Sequence, residues 1–186
     1  MLKILKNPVW EVYKLINLKD KIRNISDFPV KGIQFKDITT LLKDKKAFKY
    51  SIDMLVEHCK KYEIDFIAGM EARGFIIGAP VSYQLGIGFL PIRKPNKLPG
   101  EVESISYQLE YGKNTLEIHK DAISKGDRIM IVDDLLATGG TTAAVFQLIE
   151  KMGGTIVGAS FIIELAFLKP RKKMKEYDIF SLVQYN

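Results

Sequence analysis

The sequence predicts an α/β protein organised on a doubly wound, mainly parallel sheet, and three observations carry that prediction. Short uninterrupted apolar runs alternate with segments of helical period. One run, Ile129-Met130-Ile131-Val132, passes directly into two acids and a glycine- and threonine-rich turn. A long polar stretch followed by paired strand-like segments interrupts the alternation after Ile92. Apolar runs bounded by turn signals fit strands covered on both faces, as parallel sheets require.

Taken in order, Val9 to Leu18 reads as a short amphipathic helix, and Phe28-Pro29 to Ile38 as a turn-rich segment. Ala47 to Tyr62 places Phe48, Ile52, Leu55, Val56, Cys59 and Tyr62 on one helical face. Phe66 to Gly69 is a buried strand, Phe75 to Leu85 a helix, and Ile87 to Ile92 another strand. Arg93 to Glu103 is rich in Lys, Pro, Gly and Glu, which predicts a mobile excursion. Tyr107 to Tyr111 and Thr115 to His119, around Gly112-Lys113-Asn114, form a hairpin. A polar loop and hairpin inside a compact domain suggest an active-site lid. Ser124 to Asp127 turns the chain into the strand at 129–132. Ala144, Val145, Leu148, Ile149 and Met152 then mark one helical face, stopped by Gly153-Gly154.

At 186 residues the chain is expected to be one domain with a substantial core. Its single cysteine, Cys59, excludes an intramolecular disulfide, fits a reducing, cytoplasmic setting and reads as an inert core thiol. The first ten residues lack the apolar core of a secretory signal, and no apolar run reaches membrane-spanning length. Neither a leader nor a membrane partner is therefore expected. The net charge of +6 is spread along the chain, apart from Lys169-Pro170-Arg171-Lys172-Lys173, which reads as a solvated surface turn. A small polyanionic substrate accounts for the other basic clusters without nucleic acid. His58 and His119 have no partner at catalytic spacing and read as structural or surface residues.

Asp133 and Asp134 are expected at the carboxyl end of their strand, where ligands of open α/β sheets bind, solvent-accessible and ionised. Ala137, Thr138, Gly139, Gly140 and Thr141 form the turn entering the next helix, where free N–H groups and the positive dipole end attract an anion. The hydroxyls of Thr138, Thr141 and Thr142 can add hydrogen bonds. The turn lacks both the Gly-Lys-Ser/Thr ending of a nucleotide-kinase loop and the G-x-G-x-x-G spacing of a dinucleotide fingerprint. Separately, the acids could be a helix cap with a solvated charge. Together they describe a cradle for a sugar diol beside a phosphate.

The segment Val132-Asp133-Asp134-Leu135-Leu136-Ala137-Thr138-Gly139-Gly140-Thr141 resembles the phosphoribosyl-pyrophosphate motif of the type I phosphoribosyltransferases, and its spelling is similar to that of the members specific for adenine. Further similar segments follow in the expected order: Asp27-Phe28-Pro29 with Gly32 to Ile38, Glu71-Ala72-Arg73-Gly74-Phe75, Ile92-Arg93-Lys94 with Lys97 to Gly100, Ser106 to Gly112, and Phe180 to Tyr185. The resemblance covers roughly residues 20 to 186. It implies a type I phosphoribosyltransferase-like fold in a single domain, 1–186, with a small hood over about 1–38 and a flexible lid loop and hairpin over about 93–119. The implied reaction joins adenine to 5-phosphoribosyl 1-pyrophosphate, giving AMP and pyrophosphate, a purine-salvage step.

The resemblance also distributes roles. Asp133 and Asp134 hold the ribose hydroxyls, with Ala137 to Thr141 on the 5-phosphate. Arg73, Arg93, Lys94 and Lys97 receive pyrophosphate, the last three being otherwise readable as a solvated turn. Gln34, Phe35, Leu135 and Tyr111 bind adenine, and Glu110 exchanges a proton with it. Mg2+ is implied as a cofactor carried by substrate oxygens, with no direct protein ligand, and a homodimer is implied. The sequence departs from the pattern at Lys36, where an arginine is common, and in an unusually acidic loop, Glu101 to Ile105. Two alternatives stand beside this reading. One is a phosphoribosyltransferase for another purine base. The other is a non-catalytic regulator that senses phosphoribosyl pyrophosphate while binding DNA, for which about twenty residues before the resemblance leave no room for a helix-turn-helix.

Overall fold

The computed structural model describes residues 16–108 and 112–186, in two compact units that divide after Ser51. Most of the helix expected over Val9–Leu18 lies outside the described residues. Leu18–Lys21 is a 3-10 turn capped by Asn17, whose side chain accepts the Lys19 N–H at 3.1 Å.

The first unit holds an antiparallel hairpin where a turn-rich segment was expected. β1 (Arg23–Ser26) pairs with β2 (Gln34–Asp37), from Ser26 opposite Gln34 to Arg23 opposite Asp37. Asp37 ends β2 and anchors the start of the next helix. Its carboxylate accepts the Thr39 N–H at 2.9 Å, the Thr39 hydroxyl at 2.7 Å and Arg23 Nε at 3.0 Å. Burial pushes this carboxyl up, but the Thr39 N–H, Arg23 and the Thr39 hydroxyl outweigh it and hold the group at about 2. Helix α1 (Thr39–Lys43) begins there. It is tied back by the Thr40 hydroxyl, which donates to Lys21 O at 2.7 Å, and by Lys21 pairing with Asp44 at 2.8 Å. These ties join α1 to the segment that precedes the hairpin. Asp44 then caps α2 (Lys45–Cys59), accepting the Lys46 and Ala47 N–H groups at 3.0 and 3.1 Å. Of the expected apolar face, Ile52, Leu55, Val56 and Cys59 are buried, Phe48 is half-buried, and Tyr62, also half-buried, lies past the end of the helix.

The second unit is the parallel sheet. Its strands are β3 (Phe66–Met70), β4 (Gly88–Ile92), β7 (Arg128–Leu136), β8 (Thr155–Leu165) and β9 (Ile179–Tyr185), in the order β4-β3-β7-β8-β9 and parallel throughout. Helix α3 (Arg73–Leu85) connects β3 to β4, and α4 (Gly140–Lys151) connects β7 to β8. The first crossover moves along the sheet one way and the second the other. Right-handed crossovers therefore place α3 and α4 on opposite faces, with the switch point between β3 and β7. Ile129, Met130, Ile131 and Val132 are fully buried, as a doubly covered strand requires.

The switch point has a particular edge geometry. β3 accompanies β7 only as far as Ala68 opposite Ile131, whereas β8 continues to Glu164 opposite Leu136. The second half of β7 is thus held from one side alone. A bulge in β8 at Val157 adjusts that pairing, since Ile129 faces Ile156 and Met130 faces Gly158.

β5 (Val102–Gln108) and β6 (Lys113–His119) make the expected hairpin, but it begins earlier than the sequence suggests. Most of the acidic stretch read as loop, from Val102 onward, is strand. Ile105 and Tyr107 pack on the core, and Leu116 and Ile118 are buried in it. Apolar alternation along β5 (Val102, Ile105, Tyr107) is broken by polar neighbours, which hides the strand in the sequence. Arg93 and Glu117 exchange backbone hydrogen bonds at 2.9 and 2.8 Å, so the excursion is confined to 94–101. The hairpin tip, 109–111, lies outside the described residues.

The basic run at 169–173 is not simply a solvated turn. Pro170–Lys173 is a 3-10 turn with Pro170 buried, and Arg171 forks onto Glu164 at 2.8 and 2.7 Å. Glu164, only 2% exposed, also accepts from the Ser181 hydroxyl at 2.8 Å and Gln184 at 3.1 Å. The Arg171 guanidinium holds its carboxyl below the usual range against the push of burial. His58 is structural as expected, bonded to Ser160 at 3.0 Å and stacked on Phe180 at 4.2 Å. Burial pushes the Cys59 thiol up to about 12, so it is not a nucleophile.

Asp37 gives a test of the first unit. Its folded value of about 2 lies below the ordinary 3.8, so its contribution is complete above pH 3.8 and disappears as pH falls through 2. Asp37→Asn should lower stability at pH 7 by about 1–2 kcal/mol. Urea melts at neutral and acid pH should show that difference from the unsubstituted protein closing toward pH 2.

Candidate active site

A cleft of about 730 Å3 opens where β7 runs past β3. One wall is Glu71-Ala72-Arg73, leaving β3. The floor is Asp133-Asp134-Leu135 on β7, continued by the turn Ala137 to Thr142. The hairpin contributes Tyr107, Asn114, Thr115 and Leu116, and Lys94 with Pro95 closes the side after β4.

The two acids lie inside β7, which corrects the expectation of a solvent-accessible pair beyond the strand. Pairing with β8 carries β7 on to Leu136 and takes both carboxyl groups with it. Asp134 is only 4% exposed, and Asp133 is half-buried. Asp134 has a charged partner, since Arg73, itself exposed, brings Nε to 2.6 Å from its Oδ2. That approach balances charge, and Oδ2 has no other hydrogen-bond donor among the described residues. Asp133 Oδ1 accepts the Asp134 N–H at 2.8 Å. Burial pushes both carboxyls above the usual range. The neighbouring Asp134 charge adds to the push on Asp133, while Arg73 opposes it at Asp134. Gly74 makes room for this arrangement, because a Cβ there would lie 2.7 Å from Asp133 Oδ1.

Gly139 has φ 75° and caps α4, and a Cβ there would lie 2.9 Å from Pro170 O. Glycine therefore both turns the chain and lets it pass the neighbouring backbone. Gly139 supplies no capping side chain, so the first N–H groups of α4 remain available at the cleft. The Thr141 and Tyr107 hydroxyls meet at 3.1 Å, linking this turn to the hairpin.

The four cations expected around pyrophosphate separate into two pairs. Arg73 and Lys94 line the cleft, and Arg93 and Lys97 are not among its lining residues. The Arg93 guanidinium binds Glu71 at 3.2 and 3.1 Å and Lys97 O at 2.9 Å. Glu71 also accepts the Lys94 N–H at 3.1 Å. Arg93 thus clamps the ends of β3 and β4 together, and its charge holds the Glu71 carboxyl low.

Of the residues expected to bind the base, Leu135 lines the cleft. Gln34 and Phe35 belong to the first unit, on β2. Phe35 is half-buried with Phe28 against its edge at 5.2 Å. Gln34 Oε1 accepts from Asn24 at 2.6 Å and from Ser26 at 3.1 Å. Glu110 and Tyr111 lie outside the described residues. Sequence reading did not foresee the clamping role of Glu71, the steric role of Gly74, or Tyr107, Asn114 and Thr115 at the cleft. Gly74 directly after Arg73 was an available signal. For the hairpin, the family-like segment from Ser106 to Gly112 was the signal for Tyr107, whereas Asn114 and Thr115 are brought here only by the fold.

Residues 37–186 match the family model described as the phosphoribosyl transferase domain. The adenine phosphoribosyltransferase of Clostridium kluyveri is 57% identical over 171 residues, covering 92% of this chain and 99% of that protein. The crystal structure of adenine phosphoribosyltransferase from Thermoanaerobacter pseudethanolicus is similar with a TM-score of 0.87 and 56% identity, over 90% of this chain and 97% of that one. The Saccharomyces cerevisiae enzyme, complexed with an imino-altritol bisphosphate and adenine, gives 0.83 and 39%, over 89% and 96%. With its acid pair, phosphate turn and parallel sheet in this arrangement, the chain belongs to the phosphoribosyltransferase family, among the adenine phosphoribosyltransferases.

Proposed function

We propose that this protein transfers a 5-phosphoribosyl group from its pyrophosphate donor to adenine, forming AMP and pyrophosphate. The observation that carries this reading is the meeting in one cleft of the buried Asp133–Asp134 pair, the open start of α4 and Arg73. Relatives named adenine phosphoribosyltransferase support the choice of base.

The reaction breaks the C1–O bond to pyrophosphate and forms a C1–N bond to the base, through an oxocarbenium-like sugar. The Ala137–Thr141 turn seats the 5-phosphate on backbone N–H groups. The ribose hydroxyls donate to Asp133 and to Asp134 Oδ2, which has no donor besides Arg73 among the described residues. Their negative charge, once a ligand and its cations enter, favours the developing sugar cation. Arg73 and Lys94 receive the departing pyrophosphate, Arg73 as a fork and Lys94 as a point charge. Arg93 supports this wall through Glu71, and Lys97 adds charge on the 94–101 segment. We assign base stacking to the Phe35 ring, edge contacts to Gln34, apolar contact to Leu135, closure to Tyr111 and proton exchange with the base to Glu110.

Magnesium fits the donor set. Among the described residues no three His, Cys, Asp or Glu side chains gather at one point. The cleft offers two carboxylates, suited to a cation that keeps its waters and takes most ligands from substrate. Bound there, Mg2+ would neutralise pyrophosphate charge, with Asp133 and Asp134 holding its waters. No helix among the described residues is long and apolar enough to cross a membrane, and a single buried cysteine suits a cytoplasmic setting. The chain also works as a homodimer on this reading. Ile76 and Tyr83, two turns apart on α3, are 46% and 87% exposed and offer an apolar surface for it.

Purified protein with adenine and the donor should form AMP in a magnesium-dependent assay that chelation stops. Pyrophosphate release with hypoxanthine or guanine, and none with adenine, would reject the choice of base. Asp133→Asn should lower kcat by about 10²–10³ with little change in melting temperature. Asp134→Asn, which removes the carboxylate facing Arg73, should lower kcat by a similar factor, and a normal rate in both variants would sink the assignment. Light scattering should give twice the chain mass, falling to one chain in Ile76→Glu/Tyr83→Glu.

A further inference from the structure

The basic turn at 170–173 lies against the phosphate turn, although the two are remote in sequence. Pro170 O packs on Gly139, and Met174, 1% exposed, brings its Cε to 3.0 Å from a Cβ built at the same glycine. Beside them, Lys173 Nζ lies 3.8 Å from the position of a Cβ on Gly140, the first residue of α4 and part of the cleft lining. The forked Arg171–Glu164 pair and the buried Pro170 hold this turn, so the placement of Lys173 does not depend on its own flexible stem alone. Lys173 itself is exposed and forms no ion pair or hydrogen bond with any described residue. An ammonium with no counter-charge among the described residues therefore stands next to the open N–H groups of α4.

We propose that Lys173 is a phosphate-binding residue of this site, supplying a positive point charge to the 5-phosphate of the donor. The inference rests on the phosphoribosyl reading given above and adds a residue to it. The α4 start offers hydrogen-bond donors and a fractional charge, and a phosphate dianion seated there gains a full charge from a lysine reaching in from the β8–β9 connection. A role confined to the 5-phosphate makes a selective prediction, because pyrophosphate is received at the other wall by Arg73 and Lys94.

The test compares Lys173→Ala, Lys173→Gln and Lys173→Arg with Lys172→Ala, which removes the same charge from a neighbouring exposed position. Calorimetric titration with ribose 5-phosphate should show about tenfold weaker binding for Lys173→Ala and Lys173→Gln. Lys173→Arg should recover most of it. Pyrophosphate affinity should be unchanged in all of them. The KM for the phosphoribosyl donor should rise in parallel while the KM for adenine and kcat hold. Ribose 5-phosphate binding as tight in Lys173→Ala as in Lys172→Ala would overturn the assignment. So would equal weakening of ribose 5-phosphate and pyrophosphate, which would mean a general field effect. Failure of the unsubstituted protein to bind ribose 5-phosphate or to turn over adenine would instead reject the underlying reading.

Discussion

The site depends on the point at which β3 stops pairing with β7. β7 continues beyond Ile131 with β8 on one side and, among the described residues, no ladder partner on the other, because β3 pairs with it only as far as Ala68 and runs on to Met70 beside β4 alone. A strand paired on both sides would leave no room for a sugar between its neighbours. A strand paired on neither side would not hold two adjacent carboxylates in place. The half-paired stretch does both: β8 supplies rigidity, and the missing neighbour supplies space. The Glu71–Arg93 clamp fixes the far wall of that space by joining the ends of β3 and β4.

Electrostatics are set by burial. Two carboxyls side by side under a protein surface repel each other and lose hydration, which drives both toward protonation. Arg73 moderates this at Asp134 by setting a positive charge beside its carboxyl. The bound donor would satisfy the same groups differently, with hydroxyls on the acids and phosphate oxygens on the arginine.

Much of this was legible in the sequence, for identifiable reasons. Ile129 to Val132 announced a buried strand because nothing polar interrupts it, and the Gly139-Gly140 turn announced a helix start. The length of β7 was not legible, since Asp133 and Asp134 look like the end of a strand unless the pairing with β8 is known. β8 itself was hidden by Gly158, Ser160 and Glu164, small or polar residues of which Ser160 is met by His58 and Glu164 by Arg171, both from elsewhere in the chain. Arg93 read as a substrate cation because its partner, Glu71, lies twenty-two residues earlier. The lysine-rich run read as solvated for the same reason: its neighbours are distant in sequence and near only in the fold.

The opposed crossovers on the two faces of the sheet bear on how the donor is captured. Because every strand points the same way, α3 and α4 both begin at the cleft, one at Arg73 and the other at Gly140, from opposite sides of the sheet. Each helix start carries roughly half a positive charge borne by peptide groups. That part of the attraction for a polyanionic donor is written in the backbone, where no side-chain substitution can erase it. Changes among the cations around the cleft therefore tune how tightly the donor is held, while its capture is secured by topology.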